Sequence, residues 1–580
     1  MKNNPMLIKI IEDKFTKAFA KAFPDAAPIS VEVTRSTNAR FGHYQCNSAM
    51  KLTKALALAP REIAAKVLTQ LENDKEIEKC EIAGPGFINI TLPNQVISTY
   101  CQSMSQSPKC GIKTEKSQKI IIDFSSPNTA KEMHVGHLRS TIIGDSLARL
   151  FEYQGHEVLR LNHVGDWGTA FGMLIAYIKE VEPGLINGSK KADLSLLVEY
   201  YKKAKKRFDE DEHFKKQSQL EVVSLQSGDQ ETLKVWDLIC DISRKAYQEI
   251  YDLLDIHLIE RGESFYNPYL ANVISDLESK DLITLSEGAK CLFLEGFVNR
   301  EGEPLPFMLQ KSDGGYNYAT TDMASILHRI EEEKGERLIY VTDAGQATHF
   351  AMLFAAAKLA GYLDPQKVRC DHVPFGLVLG PDGKKFKTRS GETERLIDLL
   401  TAAIQKAEEI LIERTKEKEG GLSKEEIHSI AKTLGINAVK YSDLVCNRTH
   451  DYMFSYDRML RFEGNTAAFL MYAYVRIHGI KRKVQDQTLS AINLQHPSEI
   501  TLGLHLCQFA EILDSINDDL MPNRLCEYLY ELAEKFNAFF RDCRVEGVAE
   551  QSQRLALCEL TAMVLKEGLT ILGLKTVTKM

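Results

Sequence analysis

His134 and His137 stand three positions apart with Gly136 between them, where a helical pattern begins after the apolar run Ile120-Ile121-Ile122-Asp123-Phe124. A helix amino end offers unpaired N–H groups and partial positive charge, and two imidazoles there add hydrogen-bond donors for phosphate oxygens. Gly136, lacking a side chain, lets a flat base lie close to the backbone. The stretch before the histidines, Ser125-Ser126-Pro127-Asn128-Thr129-Ala130-Lys131-Glu132-Met133, supplies a turn, an amide and a cation, and Lys131 is long enough to reach a triphosphate. Far downstream, Gly380-Pro381-Asp382-Gly383-Lys384-Lys385-Phe386-Lys387-Thr388-Arg389-Ser390-Gly391 forms a glycine-flanked basic loop after a predicted strand. Phosphate chemistry is one reading of these residues. A metal pair is another, although further ligands and a His-Glu-x-x-His pattern are missing. Histidines without a task are the third, and the basic loop taken alone is equally a solvated turn.

The elements that must hold these residues follow from periodicity. Ile143, Leu147, Leu150 and Phe151 fall at i, i+4, i+7 and i+8, an amphipathic helix running through Gly155 into Val158-Leu159-Arg160-Leu161. Strand, helix and strand at this spacing make a βαβ unit with a parallel sheet. Residues 337–341 and 373–379 are apolar runs that add strands to it. Such a sheet binds a nucleoside triphosphate where a strand end meets a helix start.

The expected fold is a multidomain α/β protein: a Rossmann-type parallel-sheet catalytic core, an N-terminal α+β domain and a C-terminal all-α bundle. Residues 1–115 form the first part, with Gly84-Pro85-Gly86 turning into Phe87-Ile88-Asn89-Ile90. Residues 116–422 form the core, interrupted by a charge-rich stretch at 189–235 that reads as a solvated helical excursion. Residues 423–580 follow the hinge-like run Lys416-Glu417-Lys418-Glu419-Gly420-Gly421.

Composition narrows the partners. The 580 residues carry a net charge of −8, which argues against a protein that coats nucleic acid through overall positive charge but leaves room for a local basic groove. No apolar stretch approaches the roughly 20 residues that cross a bilayer, and the amino-terminal sequence lacks the pattern of a secretion signal. The twelve cysteines include no Cys-x-x-Cys pair, so they read as reduced thiols of a cytoplasmic protein without a structural metal.

Together the histidine motif and the basic loop resemble the HIGH and KMSKS signatures of class I aminoacyl-tRNA synthetases. More specifically, the chain is similar to arginyl-tRNA synthetases over essentially its whole length. The phrases that carry this resemblance are Asp123-Phe124-Ser125-Ser126-Pro127-Asn128, Arg139-Ser140-Thr141-Ile142-Ile143-Gly144-Asp145 and Leu161-Asn162-His163-Val164-Gly165-Asp166-Trp167-Gly168. Ser312-Asp313-Gly314-Gly315-Tyr316, Asp343-Ala344-Gly345-Gln346 and the terminal Leu574-Lys575-Thr576-Val577-Thr578-Lys579-Met580 add to them.

The resemblance implies that arginine is activated by ATP, bound with Mg²⁺, to arginyl-adenylate and pyrophosphate, and is then passed to the 3′ end of tRNA(Arg). It implies phosphate contacts from His134, His137 and Gly136, with Lys385, Lys387 and Arg389 on the pyrophosphate side. Thr388 stands where most class I enzymes carry their second signature lysine, and Lys131 is the substitute, with Lys387 or Arg389 able to share the role. Recognition of a guanidinium needs a carboxylate that accepts two parallel hydrogen bonds. The family motifs place Asp123 and Asp322 in that position, with Asn128, Tyr318 and Gln346 orienting the amino acid. For tRNA they indicate Phe41, Tyr44 and Gln45, in a motif where His43 replaces the usual aspartate. The helical end would then be the DALR-type anticodon-binding domain, where Arg448, Tyr452, Tyr456 and Arg461 interleave aromatic and cationic groups that suit unstacked bases. A monomer is the family expectation. The alternatives are another class I synthetase, such as the cysteinyl enzyme, and a noncatalytic RNA-binding relative; the first lacks its cysteine-zinc spacing here, and intact His134, His137, Lys131 and Lys385 speak against the second.

Overall fold

The computed structural model describes residues 5–26, 28–112, 114, 116–386, 394–416 and 421–580. They fold as two compact units, Glu115–Leu460 with Leu572–Leu574, and Met1–Thr114 with Arg461–Ile571 and Lys575–Met580.

In the unit that holds the histidines, strands β1 (Lys119–Asp123), β2 (Glu157–Asn162), β3 (Ile259–Glu260), β4 (Arg337–Asp343) and β5 (Arg369–Phe375) form a parallel sheet. Their order is β5-β4-β1-β2-β3. Ile120, Ile121 and Ile122 are β-branched and fully buried, as a central strand covered on both faces requires. Helix α1 (Val135–Gln154) connects β1 to β2, while β4 lies on the other side of β1. Connections therefore diverge between β1 and β4, and their carboxyl ends open a crevice where ligands of such sheets bind.

α1 departs from the amphipathic expectation because it is buried nearly all round. Its polar residues face partners inside the protein. Ser140 donates to the carbonyl of Val341 (2.7 Å), and Asp145 accepts from Arg149 (2.8 Å) and Arg160 (2.6 Å). Gly144 permits the close approach to β1, since a Cβ there would lie 2.2 Å from Phe124 Cγ.

The apolar run at 373–379 does not form one strand. β5 ends at Phe375, and β6 (Val378–Leu379) pairs in parallel with β7 (Tyr452–Met453) instead. The chain turns because the Gly376 N–H donates to the carbonyl of Arg448 (2.9 Å) and the Leu377 N–H to Asp451 Oδ1 (2.6 Å). A three-stranded antiparallel sheet, Thr284–Ser286, Ala289–Val298 and Pro304–Gln310, precedes helix α2 (Tyr318–Glu331). Helix α3 (Lys424–Leu444) begins at Ser423, whose side chain caps Glu426 N–H.

The charge-rich excursion also differs from the expectation. Helices Leu194–Glu210, Glu212–Ser227 and Gln230–Leu254 pack with Thr169–Val181 around Phe171, Leu174, Leu197, Phe214 and Val235. Ala130, in the loop before the histidines, belongs to the same cluster. The charges solvate only the outer faces, and the inner faces brace that loop.

In the other unit, helix Leu7–Ala22 lies in an α+β part whose antiparallel sheet orders Val33–Arg35, Tyr44–Cys46, Phe87–Thr91 and Lys79–Ala83. The helical part contains Ala467–Lys483, Pro497–Cys507, Phe509–Asp519, Asn523–Asp542 and Gln551–Ile571. The two parts are joined through buried polar contacts. Glu511 accepts from Tyr44 Oη (2.7 Å) and from Ile8 N–H (3.1 Å).

Candidate active site

Between β1 and α1 the chain makes a strained turn. Ser125, Ser126 and Ala130 have φ of 74°, 48° and 62°, a conformation that L-residues adopt at a cost. Side chains from other elements hold it. Ser140 Oγ accepts from Ser125 N–H (2.9 Å), Asn162 Oδ1 from Ser126 N–H (2.9 Å) and Ser243 Oγ from Ala130 N–H (3.0 Å). The Tyr247 hydroxyl donates to the carbonyls of Asn128 (2.5 Å) and Lys131 (2.6 Å).

The turn delivers the two histidines to the amino end of α1, where they cap it reciprocally. His134 Nδ1 accepts from Gly136 N–H and His137 Nδ1 accepts from His134 N–H, both at 3.1 Å. With Nδ1 of each ring acting as acceptor, the neutral tautomer carries its proton on Nε2, so each imidazole keeps one N–H donor to offer. Burial pushes the His137 pKa down to about 3, and the neighbouring His134 and Lys131 add to the effect. His134 is lowered as well, by burial and then by the charge of Lys385. Gly136 leaves space for the His134 ring, since a Cβ there would lie 2.8 Å from His134 Cε1.

A cavity of about 530 Å³ opens above this helix end. Asn128, His134, Gly136, His137, Gln346 and Lys385 all line it, with Val341 and Thr342 from the end of β4. Lys385 is held by a bridge to Leu379 and by the turn in which Gly380 N–H donates to the carbonyl of Lys384 (2.8 Å). Beyond the loop, Arg395 bridges to His134, and Leu396 N–H donates to the carbonyl of Met133 (2.8 Å). Both ends of the basic loop are thus fastened beside the histidines. Lys387, Thr388 and Arg389 lie outside the described residues.

Lys131 does not line this cavity. It borders a second one, of about 230 Å³, with Asn128, Trp167, Tyr201 and Glu263, and its Nζ lies 5.8 Å from the centre of the Tyr201 ring. Asn128 lines both cavities.

The acidic candidates separate. Asp123 is already committed: its carboxylate lies 2.8 Å from Nη2 of buried Arg329 and accepts from Ser126 Oγ (3.0 Å). Asp123, expected as an acidic partner of the guanidinium, thus faces an arginine of the protein itself. Asp322 stands on α2, one turn after the exposed Tyr318, and contacts His349 Nε2 (2.6 Å) with His163 Nε2 at 4.0 Å. Glu263, absent from the sequence reading, has no ion-pair partner among the described residues. Burial, followed by the charges of Asp322 and Asp166, pushes its carboxyl up to about 7. The negative charge of Asp322 is thus felt at Glu263, while Asp322 itself is paired with His349. Gln346 donates to Asp343 (2.8 Å), which fixes its amide at the rim of the larger cavity.

Family models match most of the chain. Residues 99–456 match tRNA synthetases class I (R), catalytic domain; 470–580 match the DALR anticodon binding domain; and 9–92 match the arginyl tRNA synthetase N terminal domain. A curated arginine–tRNA ligase of Protochlamydia amoebophila is 61% identical over 99% of this chain and 100% of its own. The chain belongs to the arginyl-tRNA synthetase family. A second relative, the arginine–tRNA ligase of Nostoc punctiforme, is 51% identical over 98% of both chains. The crystal structure of arginyl-tRNA synthetase from Plasmodium falciparum superposes with a TM-score of 0.88 at 34% identity and full coverage of both chains.

Several residues expected to contact tRNA are buried in the structure. Tyr44 is buried against Glu511, Arg448 is buried and donates to the carbonyl of Pro374 (2.8 Å), and Tyr452 is buried at the β6–β7 pair. In each case the ring or guanidinium is packed against a partner within the protein. Tyr456 is half-buried and donates to the carbonyl of Leu399 (3.0 Å), and Gln45 donates to Asn89 (2.8 Å). Phe41 and Arg461 are exposed. His43 Nδ1 accepts from Leu92 N–H (3.1 Å), a task the usual aspartate could also perform.

The depressed His137 pKa has a measurable consequence. An unfolded imidazole binds a proton near about 6.5, whereas His137 binds one only near about 3, so this residue's contribution to stability is lost as pH falls through that interval. NMR of ¹⁵N-histidine-labelled protein is expected to find His137 neutral, as the Nε2–H tautomer, at pH 5. Titration near pH 6 or the Nδ1–H tautomer would contradict the capping geometry.

Proposed function

We propose that the protein is an ATP-dependent arginine–tRNA ligase whose larger cavity binds the triphosphate as its Mg²⁺ complex. The observation that carries this reading is that His134, His137 and Lys385 line one cavity at the carboxyl ends of β1 and β4. Arginine's carboxylate oxygen attacks the α-phosphorus, the bond to the β-phosphate breaks, and pyrophosphate leaves. A hydroxyl of the terminal tRNA ribose then attacks the activated carbonyl and AMP departs. Neither step needs a nucleophile from the protein. Its work is to align the reactants and to stabilise charge, which the two Nε2–H donors and the α1 amino end do on one side and Lys385 on the other.

Asp322 and Glu263 are the acidic groups that suit the guanidinium, whose fixed fork of donors matches carboxylate oxygens. A lysine ammonium is a single point charge and leaves part of the pair unmatched. Asn128, with access to both cavities, and Tyr318 and Gln346 suit the α-amino and carboxylate groups. Lys131, within electrostatic reach of His137, supplies the cation that Thr388 does not. The exposed Phe41 and Arg461 suit contact with tRNA. The enzyme acts as a cytoplasmic monomer in this reading.

Arginine-dependent ATP–pyrophosphate exchange, measured with and without tRNA, tests the reading. Exchange with arginine and none with lysine is expected, and exchange with another amino acid but not arginine would overturn it. His137→Ala is expected to lower the activation rate by about two orders of magnitude, the usual loss for a removed transition-state donor. Normal turnover would take that histidine out of catalysis.

Glu263 makes arginine binding depend on pH. Below about 7 its carboxyl holds a proton that an incoming guanidinium must displace, so the KM for arginine should rise by up to tenfold per unit as pH falls further. Glu263→Gln should flatten this slope, and Asp322→Asn should weaken arginine far more than ATP. An unchanged slope in Glu263→Gln would remove Glu263 from the pocket.

A further inference from the structure

Arg139 lies on α1 just after His137, and its side chain is fully buried. Nη1 donates to two carbonyls, Gly376 (3.0 Å) and His450 (2.8 Å). Nε faces Asp443 on α3 at 3.3 Å, in an ion pair whose two side chains are both inaccessible to solvent. The guanidinium also lies 5.0 Å from the ring centre of Tyr452 and 5.8 Å from that of Phe375.

These partners are not scattered. Gly376 is where the chain leaves β5 for β6, and β6 leads within a few residues to Lys385. β6 is paired with β7, which contains Tyr452. One guanidinium therefore grips the helix that presents the histidines, the strand end that presents Lys385, and the segment from α3 to β7. Arg139 and Gly376 also line the larger cavity. A buried ion pair adds little net stability compared with apolar residues of similar volume, because desolvation offsets the attraction. What it does supply is direction, since the planar guanidinium presents its donors in a fixed fork.

We propose that Arg139, held by Asp443, is a positioning residue that sets the separation between the histidine pair and Lys385, and so the productive seat of the triphosphate. It makes that seat responsive to the helical segment beginning at α3. Movement of Asp443 or of the turn at His450 is passed through Arg139 to both walls of the cavity at once. Arg139 need not touch the nucleotide for this. The inference rests on the triphosphate reading of the cavity.

The test is ATP–pyrophosphate exchange by the full chain, with tRNA present, for Arg139→Lys, the isosteric Asp443→Asn, Lys385→Ala as the reference background, and Asp443→Asn combined with Lys385→Ala. Arg139→Lys and Asp443→Asn are each expected to raise the KM for ATP at least tenfold while the KM for arginine stays within twofold. The Asp443→Asn effect on ATP should shrink to within twofold when Lys385 is already alanine, because the two then act through the same wall. Parallel changes in both KM values, or an undiminished effect in the double variant, would overturn the proposal in favour of a purely structural role. Should Arg139→Lys fail to fold, Asp443→Asn decides, and a normal KM for ATP in that variant is equally fatal. A wild-type protein inactive with arginine would instead sink the functional reading.

Discussion

The amino end of α1 has to stay open to a ligand although nearly all the rest of that helix is buried. A helix leaves its first N–H groups without partners, and an enclosed end would be costly. Here two of those groups are satisfied by His134 and His137, whose rings then carry the donor capacity outward through Nε2. The capping contact fixes the tautomer and burial fixes the charge state. A positively charged pair would bind phosphate more strongly at rest, whereas neutral donors supply direction and leave the cationic part to lysines.

The remainder of that unit keeps this helix end in place. β1 and β4 meet at the crevice, Gly144 lets α1 approach Phe124, and the strained Ser125–Ser126 turn is tied by Ser140, Asn162 and Tyr251. Strain of this kind survives only where the surroundings over-determine it. The helical excursion contributes from its inner side, through Ala130 and Ser243, so a segment that looks merely charged in sequence supports the loop ahead of the histidines. Asp123 belongs to the same framework, since its pairing with Arg329 neutralises a buried cation beneath the site.

Much of this was legible in the sequence, for identifiable reasons. The isoleucine run of β1, the βαβ spacing and the two signatures depend on local patterns that sequence preserves. The convergence of Lys385 with the histidines, nearly 250 residues apart, could be read only through the family resemblance. What sequence did not reveal are partners distant along the chain. Tyr44, Arg448 and Tyr452 look like RNA-binding groups until Glu511, Pro374 and the β6–β7 pair are seen to occupy them. α1 reads as amphipathic because its apolar stripe is regular, yet Arg139, Ser140 and Asp145 are equally buried, each against a partner beyond the helix. Glu263 offered no local signal at all, because its raised pKa comes from burial and then from Asp322 and Asp166, all set by the fold.

In the proposed reaction the neutral imidazole pair and the distant lysine act on one phosphate chain, while Asp322 and Glu263 take the guanidinium. A crystal structure of the full chain with a sulfamoyl analogue of arginyl-adenylate shows whether they do. The sulfamoyl group is expected within hydrogen-bond reach of His134 and His137 Nε2, with Lys385 on its open side and the guanidinium near Asp322 and Glu263. An analogue seated away from the histidines, or a guanidinium pointing to solvent, would contradict it.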